Sequence, residues 1–191
     1  IGPSIRQLMN AGFLSDYEIL APPSVFDDAG IKTTMGDYDK KQLEQSVDKP
    51  TITGDAVGTY KREVYGKRCV VMCVSIKHAK NVTESYNLAG VKSEMIEGSM
   101  TSAQREGVLT RVSTGETLVV CSVSLLIEGV DIPSIEVIQW LRPTQSLIIW
   151  MQGNGRGLRP FEGKDRLTIL DHVGNWKKHG LPVTEEGLRR V

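Results

Sequence analysis

The sequence predicts an α/β fold in which a mostly parallel central sheet carries helices on both faces. Two observations support this prediction: uninterrupted apolar segments, and helical segments that separate them at a regular spacing. Strands buried on both faces form continuous apolar runs, and a helix between consecutive strands favours parallel pairing through right-handed crossovers. We therefore expect a three-layer domain.

The expected strands of the sheet are apolar and rich in Val, Ile and Leu, as buried parallel strands are. A shorter strand, EILAPP, is expected near the beginning of the chain, where two prolines end it. The segments expected to form the rest of the sheet are RCVVMCVSI, residues 93–96, TLVVCSV, IEVIQWL and RLTILDHV.

Helices are expected between these strands and upstream of them. Thr101 is the expected N-cap of one helix, because Gln104 lies three residues later and completes a capping box. The expected helical segments are 3–11, 37–47, 55–65, 78–88, 101–114 and 145–152.

The charge of the chain is balanced. Its 191 residues, enough for one domain, include 23 Lys and Arg against 23 Asp and Glu. No global basicity indicates a nucleic-acid partner, which disfavours a simple basic binding module. A nucleic-acid-binding function must therefore depend on local positions.

The cysteines and the hydropathy pattern predict a cytoplasmic protein. Cys69, Cys73 and Cys121 lie within apolar runs and are expected to be buried free thiols in a reducing compartment. The histidines and cysteines lack the spacing of metal ligands, so we expect no metal site. No segment approaches the roughly 20 apolar residues that cross a bilayer, and no signal peptide is recognisable, so we expect no membrane partner.

The segment QGNGRGLRP contains the sharpest candidate site. Arg156 and Arg159 lie three residues apart, so both guanidinium groups can face one polyanion from the same side of a helical turn. A fixed arginine stabilises the charge on a transferring phosphoryl group and contributes roughly 10³–10⁵ in rate. The alternative is a solvated turn whose arginines pair with surface carboxylates.

Two further segments, SIKH and CSVSLLIEGVDIP, follow predicted strands. We expect all three segments at the carboxyl ends of the strands, where such sheets bind ligands. Gly129 permits close backbone approach, Asp131 can accept from a ribose hydroxyl, and Ser122 and Ser124 can donate to phosphates. Alternatively, the serines cap a short helix and Asp131 begins a turn.

In this order, the segments resemble motifs of superfamily 2 helicases. SIKH resembles motif IV, MIEGSMTSAQR resembles a Gly-x-Met/Thr loop before a Gln-Arg helix, SLLIEGVDIP resembles motif V, and QGNGRGLR resembles motif VI. The resemblance is strongest to phage, prophage and restriction-type members, and it covers residues 64–180 well and 1–23 loosely. Gly153 and Asn154 replace the apolar pair usual in motif VI, and we expect them to loosen the helix around Gln152.

The resemblance implies a RecA-like domain, the C-terminal half of an ATP-driven motor. Arg156 and Arg159 would act as catalytic arginine fingers, and Gln152, Gly129 and Asp131 would bind ATP. DNA is favoured over RNA as the nucleic-acid partner. The residues implied to hold the sugar-phosphate backbone of one strand are Ser75, His78, Gly98, Ser122 and Ser124.

Two motifs of a complete motor do not occur in the chain: the G-x-x-x-x-G-K-S/T phosphate loop and the Asp-Glu-x-His/Asp magnesium motif. In the family both belong to an N-terminal RecA-like domain, which would hold most of ATP and Mg²⁺, so the chain alone is expected to hydrolyse no ATP. The expected organisation is an inter-domain connection with the first strand at 1–23, a polar and helical lead-in at 24–66, the C-terminal motor domain at 67–180 and a tail at 181–191.

Two other hypotheses remain. The chain could be a RecA-like module that binds nucleotide or nucleic acid and regulates a partner without turnover. A flavodoxin-like or Rossmann enzyme is disfavoured, because no G-x-G-x-x-G follows the first strand.

Overall fold

The structure is a computed structural model that describes residues 5–23, 26, 30–34, 36–47, 50–123 and 134–180. Its elements are α1 (Ile5–Asn10), β1 (Asp16–Leu20), β2 (Thr33–Thr34), β3 (Asp37–Tyr38), α2 (Lys40–Val47), α3 (Pro50–Glu63), β4 (Cys69–Met72), α4 (Ile76–Leu88), β5 (Ser93–Ile96), α5 (Ser102–Ser113), β6 (Val119–Ser122), β7 (Val137–Trp140), α6 (Leu147–Gly157), β8 (Arg166–Asp171) and α7 (Asn175–His179).

Six strands form one sheet in the order β1-β8-β7-β4-β6-β5, and every neighbouring pair in it is parallel. The chain passes from β4 to β5 and β6 on one side and then crosses back to β7 and β8 on the other. All strands point the same way, so their carboxyl ends share one edge of the sheet and their amino ends the opposite edge. We call these the carboxyl edge and the amino edge.

The sheet separates two hydrophobic clusters, because successive side chains of a strand point to opposite faces. In β4, Cys69 and Val71 pack on the face covered by α3 and α4. Val70 and Met72 pack on the other face, with residues of α5 and α6. These three layers confirm the predicted α/β class.

The predictions agree with the structure where contacts between neighbouring residues determine the secondary structure. Each segment expected to form a strand of the sheet overlaps one, although β1 begins at Asp16, two residues before the expected segment EILAPP. Thr101 Oγ1 accepts a hydrogen bond from the Gln104 amide at 3.2 Å, and Gln104 Oε1 accepts one from the Thr101 amide at 2.9 Å. The predicted capping box at the beginning of α5 is therefore confirmed.

Upstream of β4 the structure differs from the sequence-based prediction. The helix expected at 55–65 begins at Pro50, and the helix expected at 37–47 begins at Lys40, because Asp37 and Tyr38 pair with β2 instead. Ile52, Ala56 and Tyr60 of α3 are buried against the sheet. The helical layer of the domain therefore begins well before residue 67, within the segment expected to be a lead-in.

The buried residues include all three cysteines, which are free thiols as expected. Trp140 and Trp150 are fully buried, with ring centroids 5.0 Å apart. Among the described residues, no helix is long and apolar enough to cross a membrane. Within the same ranges, no group of three or more His, Cys, Asp or Glu side chains could hold a metal ion.

Candidate functional site

Helix α6 crosses one face of the sheet from the carboxyl edge to the amino edge. It begins after the loop that follows β7, and its last turn contacts Ser15, the residue that precedes β1. The Ser15 amide donates to the carbonyl of Leu158 at 2.7 Å. An 11-residue helix is roughly 16 Å long, close to the length of these strands. The arginine segment therefore ends at the amino edge, and its expected position at the carboxyl edge was wrong.

The buried side of α6 fits closely against the sheet through two glycines, four residues apart. A Cβ atom on Gly153 would lie 2.6 Å from Cζ2 of Trp140, and one on Gly157 would lie 2.6 Å from Cδ1 of Ile138. Both distances are far below van der Waals contact, so only glycine allows this approach.

Asn154 completes the contact with Trp140. The indole Nε1 of Trp140 donates to Oδ1 of Asn154 at 2.9 Å, and both side chains are fully buried. Among the described residues, none accepts a hydrogen bond from Asn154 Nδ2. The Gly-Asn pair was expected to loosen the helix. Instead, the pair packs against the large Trp140 ring, and the helix continues to Gly157. The predicted end at residue 152 was therefore too early.

The solvent-facing side of α6 presents the residues that the motif resemblance assigns to ATP. Gln152 and Arg156 are four residues apart and share one side of the helix. Gln152 is exposed and Arg156 is partly exposed. Arg159 is exposed and lies two residues beyond the last helical residue. The structure thus brings these three residues to one end of one helix, over its final turns.

At the carboxyl edge, Ser75 and His78 form the beginning of α4. Ser75 is the N-cap, and its hydroxyl accepts from the His78 amide at 3.1 Å. His78 Nδ1 accepts from the Val74 amide at 3.3 Å, and the His78 side chain is 0% exposed. A nucleic-acid strand cannot reach a fully buried imidazole, so the structure favours a positioning role for His78 over the predicted contact.

The remaining predicted nucleic-acid residues are dispersed along the same edge. Gly98 is exposed in the turn between β5 and α5. Ser122 is the last residue of β6 and is only 3% exposed, and its carbonyl accepts from the Cys73 amide at 2.8 Å. Ser124, Gly129 and Asp131 lie outside the described residues.

An acidic residue that the sequence reasoning missed holds the loop before α6. Asp37, in the β2–β3 pair, forms an ion pair with Arg142 at 3.0 Å and accepts from the Gln145 amide at 2.8 Å and the Thr144 hydroxyl at 3.1 Å. From the other side, Asn175 accepts from the Thr144 amide at 3.0 Å. The residues 142–146 are therefore fixed by segments far away in sequence, and no local signal identifies Asp37.

A polar network, buried except for the exposed Asp55, lies near the carboxyl edge. His172 Nδ1 lies 3.0 Å from Oδ2 of Asp55, and His172 Nε2 lies 2.9 Å from Nε2 of Gln139. The Gln139 amide also donates to the Ala56 carbonyl at 2.9 Å, and the Tyr86 hydroxyl donates to Gln139 Oε1 at 2.5 Å.

This arrangement requires Nε2 of His172 to accept, which makes the imidazole neutral. Burial lowers the pKa of His172, and the Asp55 carboxylate opposes that shift. The network links α3, α4 and β7 to His172, the residue that follows β8.

Comparisons with known proteins show which family this chain resembles. Residues 48–160 match the family described as helicase conserved C-terminal domain. A 51.5 kDa protein of a Lactococcus phage (isolate 7-9) is 28% identical over 183 residues, which are 96% of this chain and 40% of that protein. IRC3 of Saccharomyces cerevisiae, named as a candidate ATP-dependent helicase, is 26% identical over 89% of this chain and 25% of its own length.

A solved structure of similar fold is that of the ATP-dependent type ISP restriction-modification enzyme LlaBIII bound to DNA. Its TM-score is 0.63, with 21% identity over 90% of this chain and 13% of that one. The chain thus spans less than half the length of each.

Proposed function

This chain belongs to the helicase conserved C-terminal domain family, and we propose that it is the second motor domain of an ATP-dependent helicase or translocase of superfamily 2. In this proposal the domain supplies arginines to an ATP molecule that a preceding RecA-like domain holds. It also contacts the backbone of one nucleic-acid strand. Closure and opening of the cleft between the two domains would couple hydrolysis to movement.

The observation that carries the proposal is the solvent-facing side of α6. Gln152 and Arg156 are accessible there, and Arg159 is accessible two residues beyond the end of the helix. The buried side of α6 is fixed by Gly153, Asn154 and Gly157. A cation on a rigid element stabilises developing charge without reorganisation during the reaction, which is the requirement for an arginine finger. These residues therefore suit the phosphates of an ATP molecule across an inter-domain cleft.

The residues of this chain fit only part of the ATP site. Two guanidinium groups match the negative charge of a triphosphate. For Mg²⁺, the described residues include no group of three or more His, Cys, Asp or Glu side chains that could hold the ion. We therefore assign the ion, and the main phosphate contacts, to the preceding domain. Gly129 and Asp131 remain proposed as ATP contacts.

The carboxyl edge is the proposed nucleic-acid side. Ser75, Gly98 and Ser124 are retained as proposed backbone contacts, since hydroxyls and open backbone suit phosphate and sugar rather than base edges. Ser122 is retained through its backbone position at the end of β6, and His78 as the residue that shapes the turn. DNA is favoured as the partner, because the LlaBIII structure of similar fold is bound to DNA.

The arginine assignment is tested by steady-state ATP hydrolysis of the full-length protein. Arg156→Ala and Arg159→Ala should each lower nucleic-acid-stimulated kcat by roughly 10³-fold, while KM for ATP changes much less. Arg166→Ala is a matched control, because Arg166 is an exposed arginine of β8 that pairs with Glu18 at 3.8 Å. Wild-type turnover in both Arg156→Ala and Arg159→Ala would overturn the proposed function.

A further inference from the structure

We propose that Lys164 and Ser15 are positioning residues for Arg159, and that they act by fixing its backbone at the amino edge of the sheet. The inference rests on the proposed function, in which the Arg159 guanidinium faces ATP. It adds two residues that lie outside the helicase motifs. It also explains how an arginine located beyond the end of a helix keeps a defined position.

The last carbonyls of a helix lack partners within the helix and must find donors elsewhere. At the end of α6 three consecutive carbonyls do so. The Lys164 ammonium donates to the carbonyls of Gly157 and Arg159, the latter at 3.0 Å. The Ser15 amide donates to Leu158 at 2.7 Å, and the Ser15 hydroxyl donates to Arg159 at 3.3 Å. The Arg159 carbonyl is thus bonded from two separate segments.

The position of Lys164 follows from a tight turn after the motif. The Lys164 amide donates to the Phe161 carbonyl at 3.0 Å, and Gly163 has a φ of 79°, which few other residues adopt without strain. This turn reverses the chain, so that the Lys164 side chain lies beneath the end of α6. A cation at this end also interacts favourably with the helix dipole.

The Lys164 side chain is partly buried at the end of α6. Burial lowers the pKa of Lys164 to about 8, the Glu136 carboxylate opposes this shift, and the Arg68 guanidinium adds to it. Arg68 and Glu136 are themselves paired at 3.0 Å, and the Arg68 guanidinium lies 5.4 Å from the ring centroid of Phe161. Partial burial of an ammonium is offset when its N–H groups find acceptors, and here two backbone carbonyls accept from Lys164. Near pH 7 the amine is mostly protonated.

Position matters for an arginine finger because misplacement by about 1 Å can lower a rate by about 10²-fold. Without the Lys164 ammonium and the Ser15 hydroxyl, the Arg159 carbonyl would lose the two hydrogen bonds described above. The Arg159 backbone would then sample several positions, and fewer of them would place the guanidinium correctly.

The test measures kcat and KM for ATP in four variants of the full-length protein. Lys164→Met keeps the length of the side chain and removes its donors, and we expect it to lower kcat by about 10- to 100-fold with KM changed less than about threefold. Lys164→Arg retains donors and should recover at least part of the rate. Ser15→Ala removes only the hydroxyl bond and should lower kcat by about two- to tenfold. Lys92→Met is the control, because Lys92 is an exposed lysine paired with Glu116 and should leave both constants unchanged.

A double-mutant cycle with Arg159→Ala separates positioning from general stability. If Lys164 acts through Arg159, then Lys164→Met should lower kcat no further once Arg159 is alanine. If the effects of Lys164→Met and Arg159→Ala on kcat multiply, the inference is overturned. A wild-type kcat in folded Lys164→Met and Ser15→Ala would also overturn it. Both outcomes would leave the proposed function intact. A wild-type kcat in Arg159→Ala would instead overturn the arginine-finger role of Arg159, and together with a wild-type kcat in Arg156→Ala it would overturn the proposed function. If Lys164→Met does not fold, Ser15→Ala in the same cycle decides the question.

Discussion

Substitution of Gly153 by alanine tests how α6 is seated on the sheet. An added Cβ atom would lie 2.6 Å from Cζ2 and 2.8 Å from Cη2 of Trp140. Trp140 is fully buried, and its Nε1 is bonded to Asn154, so its ring has little freedom to move away. Either the ring or the helix must shift, and the Trp140–Asn154 hydrogen bond is then strained.

The magnitude follows from two opposing effects. Overpacking of a filled core costs about 1–3 kcal/mol, whereas replacing glycine by alanine within a helix stabilises it by about 1 kcal/mol. Gly155 offers a matched control in the same helix, because a Cβ atom there would meet no heavy atom within 4 Å. The helix-propensity gain is common to both variants and cancels. Gly153→Ala should therefore be less stable than Gly155→Ala by about 1–3 kcal/mol.

The assay is urea and thermal unfolding of the 191-residue chain, followed by circular dichroism. For a domain of this size, about 1 kcal/mol corresponds to a shift of about 2–4 °C in Tm. Gly155→Ala should match or exceed the wild-type stability, and Gly153→Ala should be less stable than Gly155→Ala by about 1–3 kcal/mol. Equal stability of the two alanine variants would refute the close packing of α6 on Trp140.

Three further outcomes are expected. Trp140→Phe should lower the free energy of unfolding by about 1–3 kcal/mol, because Asn154 Oδ1 then remains buried without its donor; unchanged unfolding in urea would contradict this. Because burial lowers the pKa of His172 below 6.5, the unfolded chain binds the proton first; stability should therefore fall as pH is lowered through 6.5, and a pH titration of urea midpoints should show less of this loss in His172→Gln. Single-stranded nucleic acid should bind the chain weakly, with a log–log salt slope of about −1.5 to −3.5 for roughly two to four neutralised phosphates. Tight binding that is insensitive to salt would instead favour a recognition module.

Local signals in the sequence were enough to predict the strands, the capping box and the three layers. A continuous apolar run such as RCVVMCVSI has one stable environment, inside a sheet covered on both faces. The Thr101 and Gln104 pair lies within a single helical turn, so its hydrogen bonds need no tertiary information. Motif order identified the family, but it did not predict the edge of the sheet at which the arginine-bearing segment lies.

The misplaced features depend on contacts between distant residues. Helix propensity alone argues against a Gly-Asn pair inside α6, and only the ring of Trp140 explains it. The burial of His78 could not be predicted, because polar residues at a strand end are usually accessible. Asp37 lies 105 residues before its partner Arg142, and nothing in the local sequence marks that pairing.

The proposal that this domain acts on the transition state of ATP hydrolysis is tested most directly by comparing two ligands. Affinities of the full-length protein for a non-hydrolysable ATP analogue and for ADP with aluminium fluoride, which mimics the transferring phosphoryl group, should be measured in wild type and Arg159→Ala. We expect the variant to lose about 10²-fold or more in affinity for the transition-state mimic and far less for the ATP analogue. Equal losses for both ligands would make Arg159 a ground-state binding residue and would contradict the arginine-finger role.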